Sequence, residues 1–441
     1  MTGRHRLLCG IAVSVLVIAT AWVAWASRKV TDVESQARVY VQLALELGRQ
    51  ATAEVDFYFG PSDLQPAKGL GNASASTLFL RVEALRRDIE EAQQRQPLPR
   101  RQRLLAKIRH LQQLISLQSA PSTQSFDEQA QQLYGVHLKP TAQPETTARA
   151  RLEKLLPGSG PLFARLHAWR KSLVIAPERR VAVFERALQA CRQRTLTHWK
   201  LPSDEALQVS WSGATPAAWH RYQGHNRSLL QINPGAVAYF PAVLALACHE
   251  AYPGHHAQYL QMEAASSPDG IPIEDTVVLL RSKQSVVLEG AAELGVELAF
   301  AEDERIAFER DILLPLAGLP VAIAEKQRSI SQLESALAAN ILPVLRDYYD
   351  RRVSRDAAIA MLETTALLPD AGPLLDYTRQ YGAYVLGYTA VPELLRSKLC
   401  ASGAGEPAKR WLQLRAIVEH PTEIDIELMP PHGATGGCRA D

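Results

Sequence analysis

The sequence has almost no net charge. Across 441 residues, 48 lysines and arginines stand against 46 aspartates and glutamates, a formal net charge of +2, and neither sign is concentrated in a block. A chain without a strong positive field has little to attract a polyanion, so we set nucleic-acid binding aside. Internal repeats and low-complexity tracts are also lacking, and the 47% of hydrophobic residues can bury a large core, which excludes a disordered chain.

Cysteines are few. Only five occur, and four of them lie beyond the N-terminal segment described below: Cys191, Cys248, Cys400 and Cys438. In an oxidising compartment four cysteines allow three pairings. Cys400 and Cys438 flank one C-terminal segment, so we predict that they form a disulfide. For Cys191 and Cys248, buried free thiols are nearly as good an interpretation as a disulfide.

One uncharged segment, residues 7–26, follows basic residues at the N-terminus. It ends in Ala-Trp-Ala at Ala26, the small-residue pattern that signal peptidase reads. Its length approaches the ~20 residues that span a bilayer, so an uncleaved membrane tether is the second interpretation. We therefore predict that residues 1–27 are a signal peptide or an N-terminal anchor. Residues 28–441 are then periplasmic or secreted, or anchored at the inner membrane and facing the periplasm.

Apolar residues recur with helical spacing over most of the remaining chain. Tyr40, Leu43, Ala44 and Leu47 follow the i, i+3, i+4, i+7 pattern of one helix face. The same reasoning predicts further helices at about 78–92, 101–117, 148–155, 178–194, 273–300, 321–349, 355–362 and 384–399. The fold class is therefore expected to be mainly α.

The pattern changes near the middle of the chain. Leu207–Trp211 alternates apolar and polar residues, and Ser228–Asn233 is a second β-like run that ends in a turn signal. We predict that the two segments form a small antiparallel β element beside the helix that follows. No clean linker is visible, so we expect one helical unit over 28–441, with an N-terminal half at 28–200 and a catalytic half at 201–441.

Residues typical of metal sites cluster in the segment Cys248–His256, which reads C-H-E-A-Y-P-G-H-H. Histidine nitrogens are good zinc ligands, and a neighbouring carboxylate can accept a proton from water. In the familiar H-E-x-x-H arrangement the two histidines share a helix face at i and i+4. Here position i+4 from His249 is Pro253, so the backbone must depart from that arrangement.

A distorted helix would solve this spacing problem. In an ideal helix His255 would point ~120° away from the first histidine, whereas His256 would lie nearly on its face but a turn further along. Pro253 has no N–H to give the helix, and Gly254 permits an unusual backbone. A wound-out turn with two extra residues would bring His255 to the place of an i+4 ligand. The plain alternative is a helix that ends before the proline, followed by surface histidines.

A catalytic zinc needs a third protein ligand, and Glu289 is the candidate. An apolar run leads into it and small residues follow it, and a buried carboxylate must be paired or bound to a metal. Glu293 and Glu297 continue at i+4 spacing, which by itself describes a solvated helix face. Together with the histidine motif, the sequence favours Glu289 as a ligand.

The motif H-E-x-x-P-G-H-H at 249–256 resembles the signature of the bacterial domain of unknown function 885 family. That family is similar to helical gluzincin peptidases such as thimet oligopeptidase and the Taq-type carboxypeptidases. Its Glu-Gly-Trp-Ala segment resembles Glu289–Ala292, with alanine in place of the tryptophan, and its C-terminal Tyr-x-x-Gly resembles Tyr384–Gly387. The first histidine after Pro-Gly is the fixed one in the family, which selects His255 over His256.

The resemblance implies a multi-helical, gluzincin-like zinc peptidase acting on small or unfolded peptides. His249, His255 and Glu289 would hold Zn²⁺, Glu250 would be the general base, and Tyr384 would donate a hydrogen bond to the tetrahedral oxyanion.

Two alternatives stay open. One is a zinc hydrolase of another amide or ester with the same site. The other is a non-catalytic, membrane-tethered binding protein in which the site has decayed. For a peptide substrate, the β-like run 228–233 would accept an extended chain by strand addition.

Overall fold

The structure is a computed structural model. It describes residues 32–426, with gaps at 52–53, 68–72, 120–123, 139–146, 214–216, 267–269, 404–405 and 425. The predicted signal segment or anchor, 1–27, lies outside the described residues. Within the described ranges, no helix is both long and apolar enough to cross a bilayer.

Helices dominate the described chain and the strands form two small sheets, which confirms the mainly α class. The α-helices are α1 Val33–Gln50, α2 Ala75–Arg95, α3 Pro99–Ser119, α4 Phe126–Gln129, α5 Thr147–Leu155, α6 Leu162–Lys171, α7 Pro177–Leu196, α8 Phe240–Glu250, α9 His255–Ala265, α10 Lys283–Glu293, α11 Gly295–Ala299, α12 Glu302–Phe308, α13 Leu314–Ala317, α14 Ala324–Leu337, α15 Ile341–Tyr349, α16 Arg355–Met361, α17 Gly372–Tyr381, α18 Ala390–Gly403 and α19 Pro407–Glu419. The strands are β1 Val55–Tyr58, β2 Ala206–Trp211, β3 Ala218–Gly224, β4 Arg227–Ile232 and β5 Val277–Leu279.

The chain divides into two compact units: Met1–Ser122 with Pro272–Leu280, and Thr123–Ile271 with Arg281–Asp441. In the first unit, α1, α2 and α3 pack on one another. The apolar face predicted for α1 is buried, because Tyr40, Leu43, Ala44 and Leu47 are each at most 1% exposed.

The prediction of one helix over 273–300 is wrong at its start. Val277–Leu279 is strand β5, which pairs antiparallel with β1 inside the first unit. All three of its residues are buried and apolar, and two of them are β-branched. A short, fully buried run has no polar face, so its periodicity does not separate strand from helix. The helical part of the prediction begins only at Lys283.

In the second unit, the strand order is β2-β4-β3. The predicted antiparallel pairing of the first and second β-like runs is wrong, because β2 and β4 run parallel. Between them the chain forms β3, which returns antiparallel to β4 through a tight turn at His225 and Asn226, both with positive φ. The chain reverses twice between β2 and β4, so these two strands point the same way.

The central place of β4 also overturns the expectation that the run 228–233 accepts an extended peptide. Both of its neighbouring positions are taken, by β2 on one side and β3 on the other. Strand addition requires an edge strand, and β2 and β3 are the edges of this sheet.

A disulfide joins Cys191 on α7 to Cys248 on α8. Both residues are fully buried, and the interpretation as free thiols is wrong. The packing of α7 against α8 brings the two Cα atoms to 5.5 Å although 57 positions separate them in the sequence, so chain proximity gave no hint of the pair. The pairing predicted for Cys400 involves Cys438, which lies outside the described residues.

Replacing Cys191 and Cys248 by serine together is expected to lower the free energy of unfolding by about 2–4 kcal/mol, because the unfolded chain loses a cross-link. Urea unfolding with and without a reductant measures this effect. The Cys400→Ser variant excludes a contribution from a Cys400–Cys438 bridge, and the reductant should still lower its free energy of unfolding. An unfolding free energy that is equal with and without the reductant in the unsubstituted protein would contradict the prediction.

Candidate metal centre

Helix α8 delivers the first histidine of the motif. It begins at Phe240 with Pro241 in its first turn and ends at Glu250. Its apolar residues, Val243, Leu244 and Ala247, are buried. His249 and Glu250 therefore lie in the last turn of a helix that is anchored along its length.

The backbone then breaks for four residues, and His255 begins the separate helix α9. The expectation of one helix with a wound-out turn is wrong, and so is that of surface histidines, since His255 is largely buried and His256 completely. The Tyr252–Pro253 peptide bond is cis. Because Pro253 has no N–H, the α8 ladder stops here, and the Gly254 N–H donates instead to the Cys248 carbonyl at 2.9 Å.

Gly254 is required by the close approach of two backbones at this break. A Cβ at position 254 would lie 1.7 Å from the carbonyl oxygen of His249. Only glycine leaves room for the chain to turn back against the end of α8. This turn brings the His255 ring to 4.8 Å from the His249 ring, centroid to centroid, with the two planes nearly perpendicular.

The structure brings His249, His255 and Glu289 together. Glu289 Oε2 lies 3.4 Å from His249 Nε2 and 3.5 Å from His255 Nε2, and one ligand atom of each residue lies within 4.8 Å of the others. Two ligands of a tetrahedral zinc ion, each about 2.1 Å from it, are roughly 3.4 Å apart. The separations from Glu289 match that distance.

One oxygen of this group lacks a hydrogen bond. Glu289 Oε2 is buried without a hydrogen-bond partner, although it faces two imidazole nitrogens. A cation between this oxygen and the two imidazoles would contact all three groups and take the place of the histidine protons. Two imidazoles and a carboxylate form a donor set that suits zinc, so the residues fit this metal.

The charges of the group are strongly coupled. Burial alone would raise the pKa of the Glu289 carboxyl, but His255 and His249 more than offset it and hold the pKa well below its usual range. Burial would lower the pKa of each histidine, yet the carboxylates of Glu289 and, for His249, Glu293 raise both above the usual range. A cation that binds here must displace protons from the histidines.

Two neighbours orient two of the three residues, Glu289 and His249. The Tyr384 hydroxyl donates to Glu289 Oε1 at 3.0 Å, and Glu293 Oε1 lies 3.2 Å from His249 Nδ1. A carboxylate on the second nitrogen of a histidine fixes its tautomer and aims the first nitrogen at the metal. Glu293 lies on a solvated face, as its spacing indicates, with its side chain 39% exposed, and its contact with His249 was not predicted. Its i+4 position from Glu289 on α10 was the available signal.

Gly387 allows Tyr384 to reach Glu289. The 3₁₀ segment Gly382–Tyr388 packs on α10, and a Cβ on Gly387 would lie 2.9 Å from the Glu289 Cβ. Within this segment Tyr384 is 1% exposed, whereas Tyr388 is 40% exposed, and the Tyr388 ring is nearly parallel to that of His249 at 6.5 Å. The segment therefore supplies one buried and one accessible phenol beside the group.

No family model matches the chain, and no curated protein matches it. Among solved structures, the crystal structure of "the putative lipoprotein from Colwellia psychrerythraea" matches with a TM-score of 0.44 and 16% sequence identity, over 81% of this chain and 68% of that one. So distant a likeness carries no functional inference.

Gly254→Ala is expected to destabilise the protein by about 3 kcal/mol, because the added Cβ would overlap the His249 carbonyl. Thermal unfolding measures the loss. Gly213→Ala is the matched control, since a Cβ there would meet nothing within 4 Å and should leave stability almost unchanged. Equal stability of the two variants would contradict the geometry of the break.

Proposed function

We propose that the chain is a zinc-dependent peptidase with a gluzincin-like helical fold that hydrolyses small or unfolded peptides outside the cytoplasm. The observation that carries the proposal is the meeting of His249, His255 and the buried Oε2 of Glu289, which has no hydrogen-bond partner. Two histidines and one glutamate are a known donor set of catalytic zinc, and they leave a fourth position for water or substrate. Bound zinc supplies a Lewis acid that activates water and polarises a carbonyl.

Glu250 is the proposed general base. It follows His249 at the end of α8 and is 9% exposed. Burial raises the pKa of its carboxyl, while His249 and His255 oppose that rise in part. A raised pKa suits a group that accepts a proton from the attacking water and returns it to the leaving amine near neutral pH.

The tyrosines take separate roles in this proposal. The buried hydroxyl of Tyr384 donates to Glu289, which supports a role in orienting that carboxylate rather than in stabilising an oxyanion. Tyr388 is the more exposed phenol beside His249, and we assign it the contact with the substrate.

An extended peptide would add to β3 rather than to β4. Strand β3 is an edge of its sheet and packs against α9, the helix of His255. Its residue His220 lies ring to ring with His255 at 5.8 Å, so the edge runs beside the proposed metal position. Backbone hydrogen bonds along such an edge hold a peptide independently of its side chains, which suits small or unfolded substrates.

The location outside the cytoplasm has its own support. The disulfide between Cys191 and Cys248 is of the kind that forms and persists in oxidising compartments. This agrees with the signal or anchor sequence expected at residues 1–27.

Glu250→Gln is expected to keep the bound metal and to lower kcat by roughly 10²–10⁴-fold, because the amide cannot accept the proton of the attacking water. Peptide hydrolysis and metal content are measured on the same sample. Glu304→Gln, at a carboxylate that is half exposed and pairs with Arg194, is the control and should hydrolyse normally.

Unchanged hydrolysis by Glu250→Gln would show the proposed base to be wrong. A parallel panel of peptides, other amides and esters separates a peptidase from another zinc hydrolase with the same residues.

A further inference from the structure

A chain of buried hydrogen bonds lies beside His255 and takes no part in the proposed chemistry. His220 Nε2 is 3.0 Å from Ser228 Oγ, Ser228 Oγ is 2.8 Å from His256 Nδ1, and His256 Nε2 is 2.9 Å from Glu205 Oε2. Ser228 and His256 are at most 1% exposed, and the side chain of Glu205 is 3% exposed. Polar groups buried so deeply persist only when they are bonded to one another.

The direction of the hydrogen bond between His256 and Glu205 follows from the charge of the carboxylate. Burial would raise the pKa of Glu205, but His256, Arg192 and Tyr252 offset it and lower the pKa to about 2. The carboxylate only accepts, so His256 Nε2 donates to it. Ser228 Oγ lies within hydrogen-bond distance of both His256 Nδ1 and His220 Nε2. Ser228 is thus the link between the two imidazoles.

Glu205 contacts one side chain before His255 in the sequence and one after it. Its Oε2 accepts from the Tyr252 hydroxyl at 2.9 Å as well as facing His256. Tyr252 belongs to the break before α9, three residues before His255, and His256 follows His255 directly. One buried carboxylate therefore restrains the short segment that carries the second histidine of the metal centre.

Helix α7 anchors both histidines of the metal centre through adjacent residues. Arg192 pairs with Glu205 at 2.7 Å, and Cys191 forms the disulfide with Cys248, the residue before His249. The helical hydrogen bonds of α8 do not continue to α9 across the break. Two backbone hydrogen bonds without helical spacing cross it, from Gly254 N–H to the Cys248 carbonyl and from Ala257 N–H to the Ala251 carbonyl, and the side-chain contacts to α7 reinforce this connection.

We propose that Glu205, Ser228 and His256 are positioning residues that hold His255 at the correct distance from His249 and Glu289 for metal binding. This role rests on the metal centre of the proposed function. It explains why the motif carries a second histidine after Pro-Gly, since His256 turns away from the metal ligands and ties α9 to the sheet.

Ser228→Ala tests the role, because it removes the hydroxyl between the two imidazoles and adds no bulk. We expect the zinc dissociation constant of the full chain, measured by chelator competition, to rise about 10–100-fold. The visible absorption bands of the Co²⁺-loaded protein should shift as the ligand geometry loosens. Glu205→Gln is a second variant with nearly unchanged volume, and it should change both quantities in the same direction.

Gln327→Met is the matched control. Gln327 lies on α14, elsewhere in the same unit, and the substitution removes its partly buried hydrogen bonds to Trp169 on α6 and to Ser331 on α14. It should lower the thermal stability yet keep the zinc dissociation constant within about twofold and leave the cobalt spectrum unchanged.

Tight zinc binding by the unsubstituted chain, with the same affinity and cobalt spectrum in folded Ser228→Ala and Glu205→Gln, would overturn the positioning role alone. No zinc binding by the unsubstituted chain would overturn it together with the proposed function.

Discussion

A carboxylate oxygen buried without a hydrogen-bond donor lowers stability unless a positive charge compensates it. Glu289 Oε2 is in this situation, between the Nε2 atoms of His249 and His255. The neighbouring structure fixes the position of this carboxylate. Helix α10 carries the glutamate, Gly387 allows the segment Gly382–Tyr388 to pack closely on it, and the Tyr384 hydroxyl donates to the other carboxylate oxygen. The proposed metal position is defined by this buried oxygen and the two imidazole nitrogens that face it.

The two histidines reach that oxygen from different helices. In a continuous helix the backbone would fix their separation, but here the chain breaks and turns back at Gly254. The separation then depends on long-range contacts, namely the disulfide of Cys248 and the hydrogen bonds of His256. We therefore expect the proposed metal centre to be sensitive to substitutions in α7 and β4, although neither element supplies a ligand.

Local patterns in the sequence predicted much of this arrangement, and long-range contacts were missed. Helical periodicity identified the class, the residue types of the segment 248–256 predicted a metal site and favoured Glu289 as its third ligand, and the family resemblance selected His255 over His256. The pairing of Cys191 with Cys248, the parallel pairing of β2 with β4 and the role of Glu205 depend on elements that are distant in sequence. A local sequence pattern does not show which distant elements pack together, so it does not predict such contacts.

The most direct test of the account is the metal content of the full chain, measured after zinc has been supplied and excess removed, beside Glu289→Gln. The account predicts about one zinc per chain and little or none in the folded variant, because the amide offers no charged oxygen to the cation. Unsubstituted protein that binds no zinc, or a variant that retains zinc in full, would contradict the assignment of Glu289, His249 and His255 as the metal centre.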